Sequence, residues 1–151
     1  MLILLLGLAV LARAHAAWAP LPVSGLAREA DLVAVAQVLR TDVKGNPAFA
    51  ILEIQDLLKP SATGPDIPRR VIKVRFPSPL VPPGTARFAV AEEVRYGAGE
   101  RVVVFLKALP GKDQFETLRG PLGKLVVRND KVSAYGTSLK DFIAEIRAAL
   151  K

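Results

Sequence analysis

The sequence has no cysteine and one histidine, His15, among its 151 residues, and aromatic residues make up only 6% of it. Without cysteine the chain forms no disulfide, so its stability has to come from packing. Thiol and imidazole groups are also common nucleophiles, general bases and ligands of zinc, haem and iron–sulfur clusters. The absence of cysteine argues against Cys–His catalysis and thiolate metal centres, and His15 is the one residue that could supply an imidazole for Ser–His–Asp catalysis.

An uninterrupted apolar run over residues 1–12 opens the sequence. At about 1.5 Å per residue this run is too short to cross a hydrocarbon core of roughly 30 Å, but it matches the apolar region of a signal peptide. Ala14, His15 and Ala16 supply the small-x-small pattern of a cleavage site. We therefore expect residues 1–16 to be a signal peptide, with no transmembrane span after cleavage and a periplasmic or secreted location. A buried N-terminal helix is the alternative.

Removal of the predicted signal peptide changes the inventory of chemical groups. Arg13 and His15 are lost, so the net charge falls from +7 to +6 and no histidine is left. We therefore expect no metal, no other cofactor and no enzymatic activity. Residues 120–125 (GPLGKL) resemble part of a phosphate-binding loop, but they precede a predicted strand rather than a helix. Glu92 and Glu93 are adjacent on an extended segment and would point to opposite faces, which argues against joint acid–base action.

Short apolar stretches separated by proline and glycine predict many strands and few helices. Residues 17–30 are expected to form a lead-in segment with a short helix that Ser24 caps. We expect strands over residues 31–43, 49–58, 70–76, 101–107, 114–118, 124–128 and 131–135, with a helix as the alternative for 49–58.

Two of these strands are the most informative. Residues 70–76 (RVIKVRF) alternate in polarity, which predicts a half-buried strand with Lys73 and Arg75 on the solvent side. Residues 101–107 (RVVVFLK) are apolar at five successive positions, which is typical of a strand buried on both faces. A tight turn is expected at Asn129 and Asp130.

The clearest element is a helix over residues 138–150. Ser138 and Asp141 have the spacing of a capping box, which favours a helix that begins there. An apolar stripe follows at helical spacing, with charged residues opposite, so the helix is expected to dock on the sheet. The stripe consists of Leu139, Phe142, Ile143, Ile146 and Leu150.

This order of elements predicts a mainly β fold: a small five- to six-stranded antiparallel OB-like barrel over residues 31–151 with a C-terminal amphipathic helix. Residues 30–35 (ADLVAV), 56–59 (DLLK), 99–106 (GERVVVFL), 120–124 (GPLGK) and 138–142 (SLKDF) resemble a group of small exported bacterial proteins. Those proteins are similar to netrin-like (NTR) and metalloproteinase-inhibitor (TIMP-like) barrel modules. TIMP-like modules act through an N-terminal cysteine on a protease zinc, which this sequence cannot provide. An analogous inhibitor that uses the backbone amine of Ala17 is a third and weaker functional hypothesis.

Two functional hypotheses from different classes follow. The first is a non-catalytic exported binding module that interacts with another extracytoplasmic protein, with the proline-rich loops 60–68 and 77–83 as recognition surfaces. The second is a module that binds an anionic envelope polymer or a membrane surface through Lys73, Arg75, Lys124 and Arg128. This second hypothesis requires the strands that carry the four cations to lie close together.

Nucleic acid is not expected as a partner. Proteins that bind single strands combine positive charge with aromatic side chains on which bases stack. Phe76, Phe105 and Phe142 are assigned to the core, which leaves Trp18, Tyr96 and Tyr135 as the candidates for stacking.

Overall fold

The computed structural model describes residues 22–61, 70–78, 93–110 and 113–151, in which eight strands lie between two α-helices. The elements are α1 (Val23–Glu29), β1 (Leu32–Asp42), β2 (Ala48–Lys59), β3 (Val71–Phe76), β4 (Arg101–Ala108), β5 (Phe115–Thr117), a 3-10 turn (Gly120–Gly123), β6 (Lys124–Arg128), β7 (Lys131–Val132), β8 (Thr137–Ser138) and α2 (Leu139–Ala149). The alternative of a helix over residues 49–58 is wrong, since this segment is β2. Neither helix of the described part has the length and apolar character that a membrane crossing requires.

Five of the strands close into a barrel. They follow the order β1-β2-β3-β5-β4, and β4 pairs with β1 to complete the ring. The predicted OB-like barrel with a C-terminal helix is thereby confirmed. All pairings are antiparallel except the short one between β3 and β5, which is parallel and was not expected. Strands β6, β7 and β8 continue from β4 as an antiparallel extension of the sheet.

The barrel has one apolar layer inside and a second between its outer wall and the helices. Strand β4 contributes to both, as its apolar sequence predicts: Val102, Val104 and Leu106 point inward, whereas Val103 and Phe105 point toward the helices. All five side chains are buried. Strand β3 is buried on one face only, with Lys73 and Arg75 on its outward face, as its alternation predicts.

Helix α2 covers the outer apolar layer. The Ser138 hydroxyl accepts a hydrogen bond from the backbone N–H of Asp141 at 3.2 Å, so the predicted cap is confirmed. Leu139, Phe142 and Ile146 are buried against the outer wall of the barrel. The side chains of Ile143 and Leu150, at the edge of the predicted stripe, are partly buried.

Helix α1 packs beside α2 and is held to the barrel at its C-terminal end by Lys59 of β2. The Lys59 ammonium donates hydrogen bonds to the backbone carbonyls of Ala27, Arg28 and Ala30 at 3.1, 3.0 and 2.6 Å. The last carbonyls of a helix have no partner within the helix and carry partial negative charge. Lys59 therefore supplies hydrogen-bond donors to the carbonyls at the end of α1 and joins this helix to β2.

Two local predictions need correction, and a third is confirmed. Ser24 is not the N-cap of α1 but lies inside the helix, and Pro22 occupies the cap position. The strand expected over residues 131–135 ends at Val132, because the chain turns at residues 133–136 and returns as β8. The turn at Asn129 and Asp130 is confirmed, and both residues have positive φ, as a tight hairpin requires.

Several predictions concern residues outside those that the structure describes. These are the signal peptide, Trp18, Glu92, and most of the proline-rich loops 60–68 and 77–83.

Candidate functional site

The four cations predicted to bind an anionic ligand lie on two strands and on opposite faces of the sheet. Lys73 and Arg75 alternate along β3 with residues of the barrel interior, so they point outward. Lys124 of β6 lies opposite Val104, whose side chain is inside the barrel. Cross-strand partners share a face of the sheet, and so do alternate residues of a strand. Lys124 and Arg128 therefore both lie on the face of β6 that continues the inner face of the barrel wall, opposite to the face that carries Lys73 and Arg75. The structure therefore does not bring the four cations into one patch.

Lys124 is occupied by internal contacts. Its side chain is only 10% exposed, and its Nζ lies 2.6 Å from Oε2 of Glu100. The same ammonium donates a hydrogen bond to the backbone carbonyl of Arg95 and lies 5.0 Å from the ring centroid of Tyr96. These contacts tie β6 to the segment that precedes β4. They leave Lys124 with little surface to offer a ligand, whereas Arg128 is exposed.

Tyr96 is a core residue and not a stacking platform. Its side chain lies inside the barrel, its hydroxyl is 2.6 Å from Oγ1 of Thr117, and its ring centroid is 5.4 Å from that of Phe76. Tyr135 is half-buried, with its ring 5.4 Å from that of Phe142. The assignment of Phe76 and Phe142 to the core is confirmed.

The burial of the two tyrosines predicts an alkaline loss of stability. Burial raises the pKa of Tyr96 far above its ordinary value, against the opposing hydrogen bond from Thr117, and Glu100 adds to the rise. Burial and the charge of Glu145 raise the pKa of Tyr135. The folded state therefore holds these protons more tightly than the unfolded chain. The free energy of unfolding should be unaffected by them below about pH 10 and should fall as the pH rises further.

Tyrosinate absorbance measured together with circular dichroism checks this prediction. We expect Tyr96 to ionise only as the protein unfolds, and the Tyr96→Phe variant to lack that step. Reversible ionisation of both tyrosines near pH 10, with the native circular dichroism spectrum retained, would contradict the assignment of Tyr96 to the core.

A different group of outward side chains surrounds the β1–β2 hairpin, and we call it the cationic face. It consists of Arg40, Asp42, Lys44, Phe49, Ile51, Lys73 and Arg75. The strand register aligns Arg40, Ile51 and Lys73 in one row across three strands, and Asp42, Phe49 and Arg75 in the next. Because neighbouring strands lie about 4.8 Å apart, each row spans about 10 Å.

A β-bulge in β1 places Arg40 on this face. Val38 is buried in the barrel and lies opposite Leu52, but the next paired residue is Arg40, opposite Ile51. Leu39 is the extra residue and its side chain is 47% exposed. In a regular strand, with Leu39 paired and no bulge, the period of two would put Arg40 on the same side as Val38, inside the barrel.

Positive charge dominates the cationic face. Among the residues that the structure describes, Arg40, Lys44 and Lys73 make no ion pair, whereas Arg75 pairs with Glu116 of β5 at 3.3 Å. The carboxylate of Asp42 accepts a hydrogen bond from the backbone N–H of Lys44 at 3.2 Å, which orders the hairpin. One carboxylate beside three unpaired cations leaves this surface with a net positive charge.

The centre of the cationic face is apolar. Phe49 and Ile51 are half-exposed, and the Lys73 ammonium lies 4.0 Å from the ring centroid of Phe49. Such a cation–π contact contributes about 0.5–1 kcal/mol at an exposed site. It holds positive charge next to an aromatic ring, above a groove of about 390 Å³. The arrangement suits a ligand that carries both anionic groups and apolar surface.

The sequence contained part of the signal for this face. Phe49 and Ile51 alternate along β2 with Ala48, Ala50 and Leu52, which are buried. They therefore share a face with the polar residues Glu53 and Gln55, and this alternation indicates an outward position for all four. Sequence reasoning used the alternation of β3 and so identified Lys73 and Arg75, but it missed their β2 neighbours. Arg40 depends on the bulge, which the sequence pattern did not indicate.

Within the described ranges, no group of acidic side chains is arranged to hold a metal ion. Comparison with protein-family models gave no match, and neither did a search among curated proteins.

Proposed function

We propose that the protein is a non-catalytic exported binding module that holds an anionic envelope polymer against the cationic face. The observation that carries this proposal is the unpaired charge of Arg40, Lys44 and Lys73 around the half-exposed ring of Phe49. OB-type barrels use the outer surface of their second and third strands and the adjacent loop for polymeric ligands. The net positive charge of the chain would also attract a polyanion over longer distances.

Export and the lack of catalysis rest on the sequence. The apolar run over residues 1–12 and the small residues around His15 support a signal peptide. The rest of the chain has neither histidine nor cysteine, which supports a binding role over acyl-transfer or metal chemistry. The resemblance to netrin-like and TIMP-like modules supports a binding role as well. These arguments together favour a periplasmic or secreted partner for the cationic face.

Affinity for heparin, used as a soluble polyanion, should depend on the cationic face. We expect the Arg40→Glu/Lys73→Glu double variant to lose ~2 kcal/mol of binding energy, which is roughly 30-fold in affinity, at about 1 kcal/mol per cation. Because each lost contact releases fewer counterions, the dependence of affinity on salt should also become less steep. Fluorescence titrations at several salt concentrations measure both effects.

A matched control separates the cationic face from net charge. The Arg128→Glu/Lys131→Glu variant changes the charge of the chain by the same amount at two other exposed residues. We expect it to lose less than about a third as much binding energy, through weaker long-range attraction alone. An equal loss in the two variants, or no loss in either, would rule out the cationic face as the binding site.

The apolar centre of the face gives a second test. Phe49→Ala should weaken heparin binding while the dependence of affinity on salt stays the same, because the ring contributes contact area and not charge. Unchanged affinity would limit the interaction to charge alone.

Interaction with another extracytoplasmic protein is the second candidate function. A specific observation favours it, namely a separate groove beside α2 with its own pattern of charge.

A further inference from the structure

A groove of about 830 Å³ runs along one side of α2. Its floor is apolar and includes Ile143, Ala144 and Ala148, next to the stripe with which α2 packs on the barrel. Asp56 at the far end of β2 and Asp130 in the β6–β7 turn form the opposite wall. The two alanines are exposed and small, so another helix could approach the axis of α2 closely.

The charges in this groove are unevenly compensated. Asp56 pairs with Arg147 at 3.3 Å, and Asp130 pairs with Arg101 at 3.0 Å. Lys140 and Lys151 also line the groove, and neither makes an ion pair with any residue that the structure describes. Since both acids are already paired, the charge left for an incoming ligand is positive.

The two unpaired lysines lie near opposite ends of the groove. At about 1.5 Å per residue, α2 rises about 14 Å from Lys140 to its last residue, Ala149, and Lys151 lies two residues beyond that end. We propose that this groove docks an amphipathic helix of a partner protein, with an apolar face on the two alanines and acidic side chains near both ends. This mode is a helix laid into an apolar groove, with charge complementarity setting its choice of partner.

A second copy of the chain fits the groove less well. Two-fold pairing of α2 with its own copy can be parallel, in which case Lys140 and Lys151 each lie opposite their own equivalents. The other possibility is an antiparallel pair that crosses near Glu145 and Ile146. That arrangement would place Lys140 of one chain opposite Lys151 of the other, so like charges would meet at both ends. The charge pattern therefore favours a different, acidic partner. The inference is independent of the proposed binding at the cationic face, because the groove lies at the other end of β2.

A displayed library of 14-residue helical peptides, selected on the full chain with the Ala144→Arg variant as competitor, tests the inference. We expect the selected peptides to have apolar residues at i, i+3 and i+7 and aspartate or glutamate near both ends. Ala144→Arg places a long charged side chain in the groove and should reduce their affinity at least tenfold. Ala148→Arg should do the same, and circular dichroism verifies that α2 is retained in each variant.

Charge exchange provides the decisive comparison. The Lys140→Glu/Lys151→Glu variant should bind the selected peptides weakly and should bind versions in which lysine replaces the terminal acids. Three results would each overturn the inference. The selected peptides could lack acidic enrichment, they could bind both arginine variants as tightly as the wild type, or their affinity could fail to respond to the charge exchange. Concentration-dependent self-association that Ala144→Arg abolishes would instead identify a second copy as the occupant.

Discussion

Replacing Gly123 with alanine is expected to destabilise the protein severely. A Cβ at this position would lie 2.2 Å from the backbone carbonyl oxygen of Leu118 and 3.0 Å from that of Phe105. Neither oxygen can move freely: the Phe105 carbonyl accepts a hydrogen bond from the backbone N–H of Leu118 at 2.9 Å, and both residues lie in the outer apolar layer. Overpacking usually costs roughly 1–3 kcal/mol, and a clash with backbone atoms should reach or exceed the upper end of that range.

Denaturant unfolding measures this effect, and Gly25 provides a matched control. A Cβ at Gly25, inside α1, would have only Pro22 Cγ nearby, at 3.9 Å. Gly25→Ala should therefore be neutral or should stabilise the protein by up to about 1 kcal/mol, because alanine favours the helix. If Gly123→Ala has the stability of the wild type, the close approach of residues 118 and 123 is wrong.

Phe105→Ala is the second substitution for which a large loss is expected. The Phe105 side chain has no exposure to solvent and lies between β4 and the helices, where it forms part of the outer apolar layer. Truncation of a buried phenylalanine to alanine costs about 3–5 kcal/mol through lost transfer energy and the cavity left behind. Native proteins have about 5–15 kcal/mol of stability, so this loss removes a large fraction of the free energy of unfolding and should lower the unfolding temperature markedly.

Two comparisons give this result its meaning. Phe105→Leu should recover much of the loss, because leucine fills part of the cavity. Phe49→Ala removes the same side chain from a half-exposed position on the cationic face and should cost only about 1 kcal/mol, from partial loss of burial. Calorimetric unfolding of the three variants ranks them, and similar costs for Phe105→Ala and Phe49→Ala would contradict the assigned burial.

Much of the fold follows from local patterns in the sequence. The alternation in β3, the continuous apolar run in β4 and the cap at Ser138 each act over a few residues, so sequence reasoning predicted these elements well. The closure of the barrel follows less directly. The parallel pairing of β3 with β5 and the return of the chain as β8 depend on contacts between distant residues, for which the sequence carries no local signal.

In the candidate site, too, some positions follow from local sequence patterns and others depend on contacts between distant residues. The outward position of Lys73 and Arg75 follows from the period of two, and the structure has them there. Lys124 has the same local signal, but its strand continues from β4 as an extension of the sheet, and its ammonium contacts Glu100 and Arg95. Arg40 is outward only because of a bulge. Whether a surface cation is free therefore depends on strand register and on partners far away in sequence.

The two proposed binding surfaces lie toward opposite ends of β2. Phe49 and Ile51 of the cationic face are near its start, and Asp56 of the α2 groove is near its end. At about 3.4 Å per residue, Ile51 and Asp56 are separated by about 17 Å along the strand. A polymer and a partner helix could therefore occupy the protein together. Heparin should accordingly not compete with the selected helical peptides.

Chemical-shift mapping of backbone amides during a titration with a heparin oligosaccharide tests the central claim most directly. The proposed function predicts that the largest shifts cluster on the cationic face, at Arg40, Lys44, Phe49, Ile51 and Lys73. Arg128 and Lys131 should shift little, although both are exposed cations. Shifts centred on those two residues, or spread evenly over all exposed lysines and arginines, would contradict the assignment of the cationic face as the binding site.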